Sequence, residues 1–399
     1  MKTRHWPLAL VAELVAALLA ASMIAEETVA QEVVARAPVA QEPAAPPLDG
    51  EAAARAGVDK ALAFFVSTQH PDGSWGSTSC ETTSEMVFAI ETHYAWSVAA
   101  HGLATMALLR AKETPERRAA LDKAVRWMCN CRMTQRGTSW DNDAVWGWLY
   151  GTVAMSTIAQ DPRYTTDDWR GPVGHRGREF AGWLAKNQEP LGGFGYYDDP
   201  PYTRRPKWGT SFATAAVMPA LAMSERFGWL EDSATRERAA TYVRRCRLPN
   251  GAYEYDLSPV PRMNGGEHIN DVKGSLGRIQ VCNWGLRASG DAGITDAMLR
   301  TGLEQFFEHH RFLEVARMRP IPHEAYYMNA GYFFFFGHYY CGLAIELLPA
   351  DERAPFRAKL RQKVLQTQRV DGSYCDFLGS SYMVTAATAF ATLGLLAGL

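Results

Sequence analysis

The sequence predicts an all-α protein whose main body is an (α/α)6 toroid, a closed ring of six helical hairpins. Three observations predict it. The segment ALAFFVSTQHPDGSWG (61–76) returns as VLQTQRVDGSYCD (364–376), with weaker copies over 124–142, 180–199 and 239–256. Each copy is followed by an apolar stretch with small residues at matching positions, such as HGLATMALL (101–109), YGTVAMSTI (150–158), TAAVMPALA (214–222) and CGLAIELL (341–348). No stretch of useful length alternates with the period of two that a half-buried strand requires.

The start of the chain stands apart from this pattern. Lys2 and Arg4 open it, Pro7 to Ala25 is apolar, and Thr28-Val29-Ala30 offers small residues for cleavage, so residues 1–30 read as an export signal. Glu13 interrupts the apolar stretch, and a charge at mid-membrane costs roughly 2.5–3.5 kcal/mol, which weighs against a retained anchor. The expected location is periplasmic or extracellular. Residues 31–55 are rich in Ala, Pro and Glu without a helical or strand period and read as a tether. The toroid is expected over 56–399.

Within the toroid, anchors at Gln69, Gln135, Gln188, Leu248 and Gln368 recur about sixty residues apart, and the last gap is about double. That gap implies a degenerate copy near residue 308, where GLEQFFEHHRFL (302–313) keeps a helical pattern without a Gln-Asp-Gly turn. Each unit reads as an amphipathic outer helix, a Gly turn and an inner helix that is apolar nearly all round, hence buried on several sides. One hairpin cannot bury such a helix, so neighbours must stack. Closure into a ring is favoured because neither terminal unit has a polar face. The apolar run Tyr332 to Leu348 is too short for a bilayer and holds His338 and Glu346.

The repeat itself has a structural logic. Gly73 and Gly372 each follow an Asp, a dipeptide suited to a tight turn with positive φ. Gln69 and Gln368 sit where an amide can satisfy backbone groups stranded at a helix end. Trp75 and Tyr374 supply flat surfaces for packing between units.

Composition narrows the function classes. Lys and Arg number 41 against 43 Asp and Glu, for a net charge of −2, and the basic residues are scattered, so there is no electrostatic footprint for nucleic acid. The seven cysteines, an odd number spread over a large domain, are not a disulfide framework, although one or two bridges stay open. Cys129-Asn130-Cys131 is the only close pair and is a weak metal signal by itself.

The Gln-x-x-Asp-Gly-Ser-Trp segments resemble the Gln-Trp repeats of the squalene–hopene cyclase, oxidosqualene cyclase and protein prenyltransferase β-subunit families. GYFFFFGHYYCGLAIELL (331–348) followed by QTQRVDGSY is also similar to bacterial proteins with prenyltransferase and squalene-oxidase repeats. The resemblance covers nearly all of 56–399. It implies the (α/α)6 toroid with pockets at the N-terminal ends of the inner helices. It does not fix a reaction, because one fold hosts many chemistries.

The motifs of those reactions are incomplete. Asp141-Asn142-Asp143-Ala144 approaches the Asp-x-Asp-Asp proton-donor run, with Asp143 at the donor position, but lacks the last carboxylate. Helix capping is the favoured account of both Asp residues. Asp167-Asp168 and Asp198-Asp199 lack the third carboxylate of a magnesium site. His338 resembles the zinc-binding His of the prenyltransferases, but Cys282 has no Asp two residues before it and Cys341 lies three residues beyond His338. No metal and no cofactor are therefore expected, and catalysis stays open. Trp140, Trp146, Tyr150, Tyr196, Tyr197, Trp208, Tyr253 and Tyr255, with Asp143, Asp198 and Asp256, would suit a carbohydrate platform or plain packing between helices. The pocket candidates are Arg278, Cys282, His323, Tyr326, Tyr327, His338 and Tyr339, because polar groups on apolar inner helices need partners or a wet cavity. The expected function is binding or processing of an apolar, isoprenoid-like ligand. The alternatives are a non-catalytic envelope binding or scaffold protein and a carbohydrate-active α/α-barrel enzyme. The expected partners are an apolar small molecule or an envelope component, with no membrane span in the mature domain.

Overall fold

The computed structural model describes residues 50–77, 80–86, 88–133, 143–197, 208–257 and 267–399. The chain divides into two units, Met1–Leu48 and Asp49–Leu399, and every described helix belongs to the second. The export signal, most of the tether, Gln135, Trp140, Asp141, Asn142, Asp198 and Asp199 lie outside the described residues.

The described residues hold twelve helices of twelve residues or more, with no strand and only two isolated β-bridges. The outer helices are α1 (Gly50–Thr68), α3 (Pro115–Asn130), α5 (Asp167–Lys186), α7 (Ala234–Arg245), α9 (Asp296–Glu308) and α11 (Arg353–Leu365). The inner ones are α2 (Ile90–Arg110), α4 (Ala144–Ile158), α6 (Ser211–Arg226), α8 (Leu276–Ala288), α10 (Phe333–Ile345) and α12 (Ser381–Leu396). Burial separates the two sets. Sixteen of the 21 residues of α2 are buried, against three of the 13 in α11. An element apolar all round is stable only when covered on every side, and the ring supplies that cover. α2 packs on α4, α4 on α6, α6 on α8, α8 on α10, α10 on α12, and α12 returns to α2. The fold is the expected all-α toroid. No described helix is long and apolar enough to cross a membrane.

The repeat residues do their structural work three times over. Gln69 Nε2 donates to Gly73 O and to Ala120 O on α3, at 3.0 and 2.8 Å. Gln188 Nε2 does the same with Gly192 O and Thr235 O on α7. Gln368 Nε2 reaches Gly372 O and Gly57 O, which joins the last unit to α1. Each amide thus satisfies its own turn and a carbonyl of the next outer helix. Gly73, Gly192 and Gly372 have φ of 96°, 106° and 89°, and a Cβ on any of them would run into the backbone of Lys123, Arg238 or Lys60. Positive φ and close approach both demand glycine here. Where Leu248 replaces the Gln, Gln305 of α9 donates to Asn250 O from the other side.

Two details differ from expectation. α1 begins at Gly50, so Gly50–Arg55, read as tether, are its first turns, pinned by a 2.6 Å Glu51–Arg55 ion pair and an Arg55 bond to Leu399 O. Asp143 stands at the N-cap of α4, yet its side chain makes no capping bond. Its Oδ2 accepts from Trp96 Nε1 of α2 at 3.1 Å, so capping does not account for it. The seven cysteines are free thiols, six of them buried.

Candidate functional site at the aromatic mouth of the ring

The connectors that lead from outer to inner helices bring aromatic side chains to one end of the ring. Trp146 of α4 lies parallel to Tyr196, with ring centroids 6.1 Å apart and 7° between planes. Tyr196 meets Trp208 and Tyr197 edge-on. Tyr255 continues the layer to Phe212 of α6 and to His323, and Phe212 reaches Phe333 of α10. Trp146, Tyr196, Trp208, Tyr255, His323 and Tyr332 are half-buried, so the layer keeps a face toward solvent. Below it the axis is filled. Tyr150, Phe336, Tyr339, Tyr340 and Phe390 pack on one another, and the Tyr150 and Tyr340 hydroxyls lie 3.4 Å apart.

Polar groups are set into this layer with defined directions. His323 Nδ1 lies 2.8 Å from Met328 O, which only accepts, so that nitrogen carries the proton. His323 Nε2 then accepts from the Tyr332 hydroxyl at 3.1 Å. Burial, with Tyr255, Asp143 and Tyr197 close by, pushes that hydroxyl well above its ordinary range. Tyr332 is therefore a neutral donor. Burial likewise pulls His323 down, while its bond to Met328 O opposes the change. The segment that carries His323 is strained: Met318, His323, Tyr327 and Met328 all have φ between 55° and 66°, a region that costs a non-glycine residue on the order of 1–3 kcal/mol. Asp256 Oδ2 accepts from Trp208 Nε1 at 2.7 Å, repeating the Trp96–Asp143 pairing two units further along the ring.

The structure does not bring the sequence-picked residues together in one place. Arg278 and His323 both contact Tyr255 at the mouth, and Asp143 acts on Tyr332 there. Cys282 lies one turn below Arg278, fully buried, and burial pushes its thiol up. Tyr339 belongs to the filled axis. His338 turns outward, with Nδ1 on Phe334 O and Nε2 on His310. Tyr327 packs on Phe312 and accepts from Lys273 Nζ at 3.1 Å, and Tyr326 is 62% exposed.

A neighbouring polar cluster escaped the sequence. Tyr382 of α12 bonds His93 Nδ1 of α2 at 2.9 Å, His93 Nε2 faces Glu85 O, and the Glu85 carboxylate accepts from Ser380 and Thr82. These residues are nearly 300 positions apart, and no local motif links them. Tyr332 was also missed, although it opens the quoted run beside His338. Among the described residues no group of three or more His, Cys, Asp or Glu is placed to hold a metal ion.

In fold, the chain is similar to α/α toroid enzymes of different chemistry. The type II terpene cyclase MstE from Scytonema, solved with merosterolic acid A, matches with TM-score 0.50 and 13% identity, over 88% of this chain and 99% of that one. A possible member of the GH105 family from Klebsiella pneumoniae matches with TM-score 0.53 and 13% identity, over 91% and 96%. An α-amylase from Clostridium perfringens matches with TM-score 0.54 and 12% identity, over 89% and 99%. No family profile and no curated protein matches the sequence. At these identities the similarity establishes a terpenoid-cyclase-like toroid fold and nothing about activity.

Proposed function

We propose that the protein binds an apolar, isoprenoid-like ligand on the aromatic mouth of the ring, after export by residues 1–30. One observation carries the reading: a continuous half-buried layer from Trp146 through Tyr196 to Tyr255, backed by the buried Phe212, keeps large apolar faces toward solvent at the inner-helix N-termini. Surface of this kind marks ligand sites. The filled axis beneath favours a ligand lying at the mouth over one engulfed by the ring. Tyr332, donating to His323, and the Trp-bound Asp143 supply polar groups that orient the ligand.

The experiment is a titration of the purified toroid with farnesol, followed by tryptophan fluorescence and native mass spectrometry. Saturable binding that weakens at least ten-fold in Trp146→Ala, with the helical circular dichroism retained, supports the reading. Absence of binding, or an indifferent variant, ends it. A second reading has one observation in its favour: the 7° alignment of Trp146 and Tyr196 also forms a platform for a sugar ring. A neutral oligosaccharide in the same titration decides between them. Cell fractionation with N-terminal sequencing tests export.

A further inference from the structure

Among the described residues two arginines are almost fully buried, and they are treated differently. Arg176, 4% exposed, places Nη1 on the Glu179 carboxylate at 2.6 Å and its other nitrogens on Cys129 O. Its charge is matched. Arg278, 3% exposed in the first turn of α8, has only carbonyl partners: Nε on Tyr253 O at 3.4 Å and Nη2 on Ile269 O. Among the described residues no carboxylate pairs with it, and its Nη1 makes no hydrogen bond to them. Asp256, an acid that acts on it electrostatically, is held by Trp208. Burial pulls the guanidinium down to about 10, so it stays charged at neutral pH.

A buried charge without a counter-charge is costly, and a fold that needed only packing would be served by an apolar residue. The position is telling. The guanidinium lies 5.3 Å from the centre of the Tyr255 ring, whose other neighbours are Phe212, Trp208 and His323 of the mouth. Tyr255 and Tyr196 bring two hydroxyls, 3.3 Å apart, to the same spot.

We propose that the ligand carries a compact anionic head, a carboxylate or phosphate, that pairs with Arg278 at the rim while its apolar body lies across the aromatic layer. This rests on the proposed binding of an apolar ligand at the mouth and names that ligand's polar end. Arg is suited to the task because its planar fork meets two oxygens of one head at once. The protein is then a binder of amphiphilic acids.

The test compares farnesol, farnesoic acid and farnesyl monophosphate by calorimetric titration on the same protein at pH 7.5. At least one acid binds ten-fold or more tightly than the alcohol, and Arg278→Met brings that acid down to the alcohol's affinity. If alcohol and acids bind alike, the anion site is overturned while the apolar reading stands. If none binds, both fall. Because the wild-type comparison needs no variant, it decides even if Arg278→Met does not fold. Arg278→Lys separates charge from geometry: it retains part of the preference for acid, whereas complete indifference to the substitution would show that the guanidinium does not touch the head.

Discussion

His310 Nε2 and His338 Nε2 lie 2.9 Å apart inside the wall of the ring, and one proton must sit between them. His338 Nδ1 donates to Phe334 O at 2.6 Å, so its Nε2 is the acceptor, and burial keeps this imidazole neutral. His310 is then the donor. Its Nδ1 faces Glu314, whose carboxyl is held down to about 2 by His310, with Lys363 adding to the pull. Burial draws His310 below its ordinary value while Glu314 pulls the other way. The chain Phe334–His338–His310–Glu314–Lys363 ties inner helix α10, of the unit that lost the Gln-Asp-Gly turn, to outer helix α11 of the next unit.

That tie should be strongly cooperative. His310→Ala and His338→Ala each leave a buried nitrogen without a partner and are expected to cost about 2–4 kcal/mol. The double variant removes both ends at once and should lose at least about 1 kcal/mol less than the sum. Urea denaturation of the four proteins gives the coupling. Additive losses would show that the two rings merely fill space.

The turn glycines give a second prediction, because two of them differ in one respect only. Gly372 and Gly290 both have φ of 89°. A Cβ at Gly372 collides with Lys60 of α1, whereas one at Gly290 meets nothing within 4 Å. Gly290→Ala should therefore cost about 1 kcal/mol, the backbone term alone. Gly372→Ala should cost several times as much, because α1 must move and the Gln368 bond to Gly57 O goes with it. Equal losses by thermal denaturation would mean that the seam between α1 and α11 is slack.

Why the ring was legible in the sequence, and the site much less so, follows from the same residues. Gln69, Gln188 and Gln368 act within one turn and on the next helix, so their spacing records the architecture directly. The inner helices are apolar all round because the ring buries all of them. The mouth is assembled from single side chains on different connectors, such as Tyr196, Tyr255 and Tyr332, and no local period marks them. Asp143 shows the limit: its sequence context reads as a helix cap, but Trp96, 47 residues earlier, claims the carboxylate. His338 and Arg278 look alike as polar residues on apolar helices. Only packing reveals that one faces His310 in the wall and the other Tyr255 at the mouth.

Acid and base act on the core in opposite senses. The Asp376 carboxyl is 3% exposed and accepts from Phe335 N at the start of α10, and burial pushes it up to about 7. Its folded form keeps a proton that the unfolded chain releases above about 4, so this contribution to stability is complete below pH 4 and is lost as pH rises to 7. His101 lies fully buried between Trp75 and Trp127, with Nε2 donating to Ala124 O, and burial pulls it down to about 4. It stays neutral while the unfolded chain takes up a proton below about 6.5, so its contribution is present above pH 6.5 and is lost as pH falls to 4. Each slope amounts to about 1.4 kcal/mol per pH unit, and between pH 4 and 6.5 the two nearly cancel. Single neutral replacements should uncover them. Asp376→Asn, which keeps an acceptor for Phe335 N, is expected to become more stable as pH rises from 4.5 to 6.5. His101→Gln, which keeps a donor for Ala124 O, should become less stable over the same interval, with the double variant nearly flat. Urea midpoints at four pH values suffice to check this, and parallel curves for all four proteins would show that neither group is desolvated in the folded state.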